Sequence, residues 1–461
     1  MPHHGSRGLV QGTKKFIVGT AACLAVAALA HGQSRTPASV SPQDLARTWD
    51  REHVSPAQPP LIDHEEVVKR LEALRERGDG FFEVDKVGES VEGRSINQVR
   101  MGRGPTRILL WSQMHGDEPT ATAALFDVFD YLHRHQGEPV ARRILSQLTL
   151  HAVPMLNPDG AERFQRRNAQ SIDVNRDALR LQTPEGRALK ALRDRLNPAV
   201  GFNLHNQNWR TSVGDPPKPA SISLLSVAYD ESRSENAGRR LTRKICAVIR
   251  DALEPFASGQ IGRYDDEFEM RAFGDNITLW GTPVVLIETG PWPSEQPDGA
   301  LVRLNFIALM AALDALATGQ VERADPRRYD TLPVNESRLF HTLIRNATVI
   351  NGAGVPPFIA DIGINATRRV RAAAGTRELQ LTLRIDDMGD LRTLGGLRII
   401  EATGKVVIPC PEDSIKEGDV VDLPEWKTRR PSTIAVDQPA SLAILKPAPE
   451  PGKFIVDVVL R

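Results

Sequence analysis

The sequence predicts an α/β sandwich on a mixed, mainly parallel sheet, followed by a C-terminal all-β sandwich-like domain. Three observations carry this reading. Between residues 61 and 320, short apolar runs of strand length alternate with longer segments of helical periodicity, the pattern of a sheet covered by helices. Beyond Gly319 a charged, Pro-containing stretch follows, and from about residue 340 the helical periodicity ends and alternating strands separated by Gly-containing turns take over. At 461 residues the chain is also too long for one small core.

The elements follow in order. Lys14 and Lys15 precede an apolar run from Phe16 to Ala30 that ends in Ala28-Leu29-Ala30, a basic start, apolar centre and small-x-small end. Residues 1–30 therefore read as a secretory signal, too short for a spanning helix. A retained membrane anchor is the alternative, and a lipid-bearing Cys23 a weaker one. Without these residues the formal charge is 0 − 3 = −3, because Arg7, Lys14 and Lys15 leave. Residues 31–60, rich in Ser, Pro and Gln, read as a linker with a short helix. A firm helix starts at Asp63, which with Glu66 forms a capping pair ahead of Val67, Val68, Leu71 and Leu74. Strands are expected at 81–87, 95–101, 107–114, 148–154, 200–204 and 283–287, and helices at 121–135, 184–196, 233–254 and 298–318. Residues 321–338 read as a second linker and 339–461 as the β-rich domain, in which Leu379, Leu381, Leu383 and Ile385 alternate with polar neighbours.

Composition bounds function only loosely. The chain is 41% hydrophobic and 25% charged with no net formal charge, ordinary for a soluble protein. Nothing in that balance favours nucleic acid or an anionic membrane as partner. Cys246 and Cys410 fall in different expected domains, so two free thiols are at least as compatible as a disulfide.

Three motifs each stand at the end of an apolar strand: His115-Gly116-Asp117-Glu118, Leu204-His205-Asn206 and Ile287-Glu288-Thr289-Gly290. Ligands of open α/β sheets bind at the carboxyl ends of strands, so the three converge on one edge. Two histidines and a carboxylate leave a fourth position open, as a hydrolytic zinc requires, and two imidazoles suit zinc better than magnesium. His115, Glu118 and His205 are the candidate ligands, for one zinc per chain. Read plainly, each could instead be structural: an acid at a helix start, or a histidine bonded to a neighbour. Glu288 closes an apolar strand, where a buried unpaired carboxylate is costly; it is the candidate general base and acid, with a structural ion pair as the alternative. Asn175 and Arg176 can hold a carboxylate with several directed bonds. Arg166 can face a developing oxyanion, with Arg163 and Arg167 as rivals. Asp173 can fix the tautomer of a zinc histidine or simply cap a loop.

With these residues in view, the chain resembles the zinc carboxypeptidases. The resemblance runs over about residues 63–318: Gly88-Glu89-Ser90-Val91-Glu92-Gly93-Arg94, then HGDE, NPDG, RRNAQSIDVNRD, LHNQ and LIETG in the family's order. It implies a three-layer sandwich in a catalytic domain over residues 61–320. It implies zinc on His115, Glu118 and His205, Glu288 as base and acid, and Arg166 at the scissile carbonyl. Asn175 and Arg176 would hold the substrate's terminal carboxylate, and Asp173 would support His115. The chain departs from the digestive members in carrying Asp117 where they have arginine. The family's mobile tyrosine has two candidates here, Tyr229 and the better placed Tyr264. The side-chain pocket would draw on Arg271 to Ile277.

The function expected is thus an exported zinc carboxypeptidase, periplasmic or extracellular, acting on peptides with a free C-terminus, cell-wall peptides included, with no nucleic-acid partner and no membrane partner once the signal is cut. The alternative is a zinc amidohydrolase of the acylase type acting on N-acyl amino acids, against which the NPDG segment and the signal speak. A binding protein with a dead site is a third reading, opposed by the complete ligand set and base.

Overall fold

The computed structural model describes residues 39–294, 297–351, 355–373, 376–410, 415–423 and 433–461. The expected signal at 1–30 lies outside them. The first helix among these residues, α1 (Pro42–Glu52), is capped by Ser41, whose side chain accepts from Asp44 N. It falls in the segment expected as a linker with a short helix, yet it is core rather than tether: Leu45, Ala46 and Trp49 are buried, and Trp49 Nε1 donates to Asp127 Oδ2 at 2.7 Å. After it, α2 (His64–Arg77) starts at the expected cap, Asp63 accepting from Glu66 N at 2.9 Å.

The strands β1 (Glu83–Glu89), β2 (Ser95–Met101) and β3 (Thr106–Ser112) lead into α3 (Thr120–Arg134) and α4 (Pro139–Gln147). Then come β4 (Leu148–Val153), α5 (Pro158–Glu162), α6 (Pro184–Leu196) and β5 (Val200–Asn206). The short strands β6 (Thr211–Val213) and β7 (Lys218–Pro219) precede β8 (Ile222–Ser226), α7 (Ala237–Leu253) and β9 (Ile261–Arg263). Finally α8 (Phe273–Leu279), β10 (Val284–Thr289) and α9 (Pro297–Thr318) close this region. Among the described residues, eight strands form one mixed sheet in the order β1-β2-β4-β3-β5-β10-β8-β9, with β4, β3, β5 and β10 mutually parallel at its centre.

Both faces of these central strands are covered, which explains their unbroken apolar runs. One face packs against α1, α2, α3, α7 and α9 through residues such as Leu110, Phe202, Leu204, Ile287 and Phe306; the other packs against α6 and α8 through Leu109, Trp111, Leu189 and Phe273. The result is the expected three-layer sandwich. By length and composition α9 could cross a membrane, but most of it is buried inside the protein. It is a core helix, apolar on all sides because it is enclosed on all sides.

The stretch expected as a second linker carries α10 (Arg327–Asp330), whose Tyr329 is buried and accepts a hydrogen bond from Ser226 N at 3.1 Å through its hydroxyl. The β-rich region then supplies β11 (Glu336–Ser337), which pairs with β6, and β12 (Leu339–Val349). It continues through β13 (Phe358–Ala373), β14 (Thr376–Gly389), β15 (Gly395–Glu401), β16 (Val406–Pro409), β17 (Val420–Asp422), β18 (Leu442–Pro447) and β19 (Lys453–Leu460). Except for β11, these strands join in a second sheet with both faces apolar: Val407, Leu442 and Ile444 point into one cluster, and Ile408, Ala443 and Leu445 into another. Cys246 and Cys410 are both buried, and no disulfide joins them.

Candidate metal centre and cleft

The three motifs meet at one sheet edge, and neighbouring backbone explains how. After β3, the His115–Glu118 turn packs directly on the Asn157–Gly160 turn that follows β4. A Cβ on Gly116 would sit 1.9 Å from the Gly160 carbonyl carbon, so no larger residue fits. Asn157 secures the contact: its Oδ1 accepts from Gly160 N at 2.9 Å, and its Nδ2 donates to Met114 O at 3.3 Å and to Arg166 O at 3.4 Å. Asp159, fully buried, accepts from Ser90 Oγ at 2.7 Å, Glu92 N at 3.0 Å and Arg94 Nη1 at 2.7 Å, tying in the β1–β2 turn. Gly116→Ala should therefore cost about 1–3 kcal/mol of overpacking and lower the melting temperature by several degrees. A thermal melt matching the native protein would show that this backbone contact is not close.

On this frame His115, Glu118 and His205 bring one ligand atom each within 4.8 Å of one another. His115 Nδ1 and His205 Nδ1 are 3.2 Å apart, and each lies 2.7 Å from an oxygen of Glu118. All three residues are buried. The second nitrogen of His115, Nε2, lies 3.2 Å from Asp173 Oδ1, while Asp173 Oδ2 accepts from Arg166 Nε at 2.9 Å. Arg166 Nη1 is 3.0 Å from His115 Nδ1, which places its guanidinium at the mouth of the cluster. Asn206, next to His205, donates its backbone N–H to Glu118 Oε2 at 3.2 Å and its side chain to Thr120 Oγ1 at 2.7 Å.

The electrostatics suit a cation. Burial opposes ionisation of Glu118, but the two imidazoles outweigh it and hold its carboxyl well below the usual range. Burial keeps His205 below the ordinary imidazole value despite Glu118, which favours the neutral form a metal ligand needs. His115 is raised to about 9 although burial opposes it, because it has a carboxylate at each nitrogen: Glu118 on one side and Asp173 on the other. A set of two nitrogens and one carboxylate, with the nitrogens 3.2 Å apart, fits a small divalent cation of the zinc type.

Glu288 stands beside His205 as its partner in register across the parallel β10–β5 pair, so the two side chains leave the sheet on the same face from strands about 4.8 Å apart. It is buried, its Oε2 has no hydrogen-bond partner among the described residues, and burial followed by the Glu118 charge raises it well above the usual carboxylate range. A strongly basic carboxylate beside three convergent ligand atoms can accept a proton from water.

A cleft of about 1070 Å³ opens over these groups and is lined by Arg166, Asn175, Arg176 and Tyr264 as well. Asn175 is held by Phe273 N, which donates to its Oδ1 at 2.9 Å. Arg176 lies 3.4 Å from Glu269 Oε2, a partner that the sequence did not single out. Tyr264 faces the same charges: Glu288 first, then burial, pushes its hydroxyl up to about 12. Of the segment expected to form a side-chain pocket, Ala272, Gly274 and Asp275 line the cleft, and burial pushes Asp275 up to about 7. Arg163 instead pairs with Glu92, and Arg167 donates to Ser171 O at 3.1 Å, so neither rival of Arg166 joins the cluster.

Residues 67–266 match the family model described as zinc carboxypeptidase. This span of the chain is similar to the zinc carboxypeptidases. Carboxypeptidase 2 of Trichophyton rubrum is 24% identical over 227 residues, which is 46% of this chain and 40% of that protein. Carboxypeptidase SOL1 of Arabidopsis thaliana is 27% identical over 151 residues, 29% of this chain and 31% of that protein. The chain thus spans less than half the length of these curated relatives. Among solved structures, the metallo-carboxypeptidase of Burkholderia cenocepacia aligns over 54% of this chain and 69% of its own, with a TM-score of 0.43 and 21% identity. The matched span contains His115, Glu118 and His205 and stops short of Glu288, which the sheet register brings back beside His205.

Proposed function

We propose that the protein is an exported zinc metallocarboxypeptidase that hydrolyses the last peptide bond of peptides with a free C-terminus, cell-wall peptides included, using one zinc per chain. The observation that carries this reading is the pairing of a compact His115–Glu118–His205 donor set with the buried, half-unpartnered carboxylate of Glu288 in one cleft. The Lys14-Lys15 start and apolar run of the sequence support export, to the periplasm or beyond.

His115 Nδ1, His205 Nδ1 and the Glu118 carboxylate would hold the zinc, whose chemistry is to polarise a carbonyl oxygen and to acidify a water. Asp173, on the far nitrogen of His115, fixes that ring's orientation. Glu288 takes the proton of the attacking water and returns it to the departing amine. Arg166, steadied by Asp173, places a guanidinium where the carbonyl oxygen gains charge. Asn175 and Arg176 bind the terminal carboxylate, which requires Arg176 to exchange its contact with Glu269 for the substrate. Tyr264 closes over the bound residue from the Glu288 side of the cleft.

The test is mass spectrometry of a mixed peptide library incubated with the mature protein, with and without chelator. Stepwise loss of C-terminal residues that chelation abolishes is the expected result; internal cleavage, or trimming that survives chelation, overturns the reading. Arg176→Ala should lower kcat/KM for free-acid peptides by roughly 10–100-fold, the worth of a charge-assisted bond to the terminal carboxylate, mostly through KM. Initial rates on a free-acid peptide check this, and an unchanged KM would remove Arg176 from that role.

A further inference from the structure

The cleft is not built by the α/β sandwich alone. Ala366, Thr367 and Arg368, on β13 of the β-rich region, also line it. They belong to the long β13–β14 hairpin, in which Arg368 pairs with Leu381 and Ala372 with Arg377. That hairpin is fastened to the sandwich on both sides of the metal centre. Toward its tip, Arg377 donates to Glu162 O at 3.0 Å and to Ala161 O at 3.3 Å, at the end of the α5 helix whose Gly160 abuts Gly116. Toward its base, Asp386 accepts from Arg210 Nη1, only five residues past His205. Arg368 lies between the two fastenings.

Arg368 is itself held in place. Its Nη1 donates to Asp298 Oδ1 at 2.7 Å in the first turn of α9, and its guanidinium carbon lies 4.7 Å from the ring centre of Trp209. Trp209 follows His205 by four residues, a span of at most roughly 14 Å. Asp298 belongs to the α3–α9 layer, whereas Asn175 is bonded to Phe273 in the α8 layer on the opposite face of the sheet. The cleft therefore crosses the sheet edge, with the carboxylate-binding pair over one layer and the hairpin over the other. If the terminal residue sits at Arg176, the peptide upstream of the scissile bond runs toward Arg368.

We propose that the β13–β14 hairpin forms an upstream subsite in which Arg368, backed by Trp209, selects a substrate residue bearing a carboxylate. One guanidinium nitrogen is committed to Asp298, and Nε and Nη2 have no hydrogen-bond partner among the described residues. A fixed, half-buried planar donor of this kind matches a carboxylate and repels a lysine. This rests on the carboxypeptidase reading and adds to it a role for the β-rich region.

The experiment uses the zinc-loaded full chain and acetylated pentapeptides with a constant last residue, carrying Glu, Gln or Lys in turn at each of the three positions before it. At one position Glu should exceed Lys in kcat/KM by about tenfold or more, the worth of one charge-assisted bond, with the difference in KM and not in kcat. Arg368→Gln should flatten that ratio, and Arg368→Lys should keep most of it. Trimming with the same charge profile in the native protein and in Arg368→Gln, or a flat native profile, would overturn this proposal alone. Should Arg368→Gln fail to fold, the native profile and Arg368→Lys still decide. No trimming of any peptide would overturn the carboxypeptidase reading and the subsite with it.

Discussion

Glu288→Gln should leave zinc in place and reduce turnover by about 10²–10⁴-fold, the usual worth of a general base. The substitution keeps shape and volume, so the apolar strand Val284–Ile287 and the pairing of β10 with β5 survive. What it removes is basicity. Burial, and then the charge of Glu118, raise the Glu288 carboxyl well above its ordinary range, which makes the ionised form a far better proton acceptor than an exposed glutamate. An amide in the same place cannot accept that proton. Measuring kcat together with zinc content separates the two effects. Full turnover in Glu288→Gln would remove this residue as the base, and loss of zinc would mean that it supports the metal directly.

His205→Ala should abolish metal retention. Nδ1 of His205 is one of three convergent donor atoms, and the remaining pair, His115 and Glu118, are neighbours on one turn that cannot enclose an ion. The loss should exceed the roughly 10–100-fold that removal of a supporting residue costs. It also strips Glu118 of one of the two imidazoles that keep it ionised against burial. Metal analysis after dialysis, with circular dichroism to verify folding, reads the result. A folded His205→Ala protein that keeps stoichiometric zinc would place the metal elsewhere.

Much of the site is legible in the sequence because its parts are local. His115 and Glu118 share a turn, His205 and Glu288 each end an apolar strand, and the strand-end rule alone brings them to one edge. The mainly parallel character of the sheet, seen in β4, β3, β5 and β10, follows from the same alternation, whereas the strand order does not. Other features are invisible because they depend on distant pairings. Nothing in Arg368-Arg369-Val370-Arg371 distinguishes the one arginine clamped by Asp298 from its more exposed neighbours. Glu269 becomes the partner of Arg176 only once α8 docks on the loop holding Asn175. The two stretches read as linkers are polar on average, yet a few residues in each, Trp49 and Tyr329 among them, bury against the core and fix the whole segment. Composition averages over a segment, whereas packing needs only one face of it.

The claim on which the account rests is that His115, Glu118 and His205 surround a single zinc within reach of Glu288. Anomalous diffraction on either side of the zinc absorption edge, from crystals of the zinc-loaded protein, tests it most directly. One peak bounded by His115 Nδ1, His205 Nδ1 and the Glu118 carboxylate is expected; a peak elsewhere, or none in protein that binds zinc in solution, would contradict it.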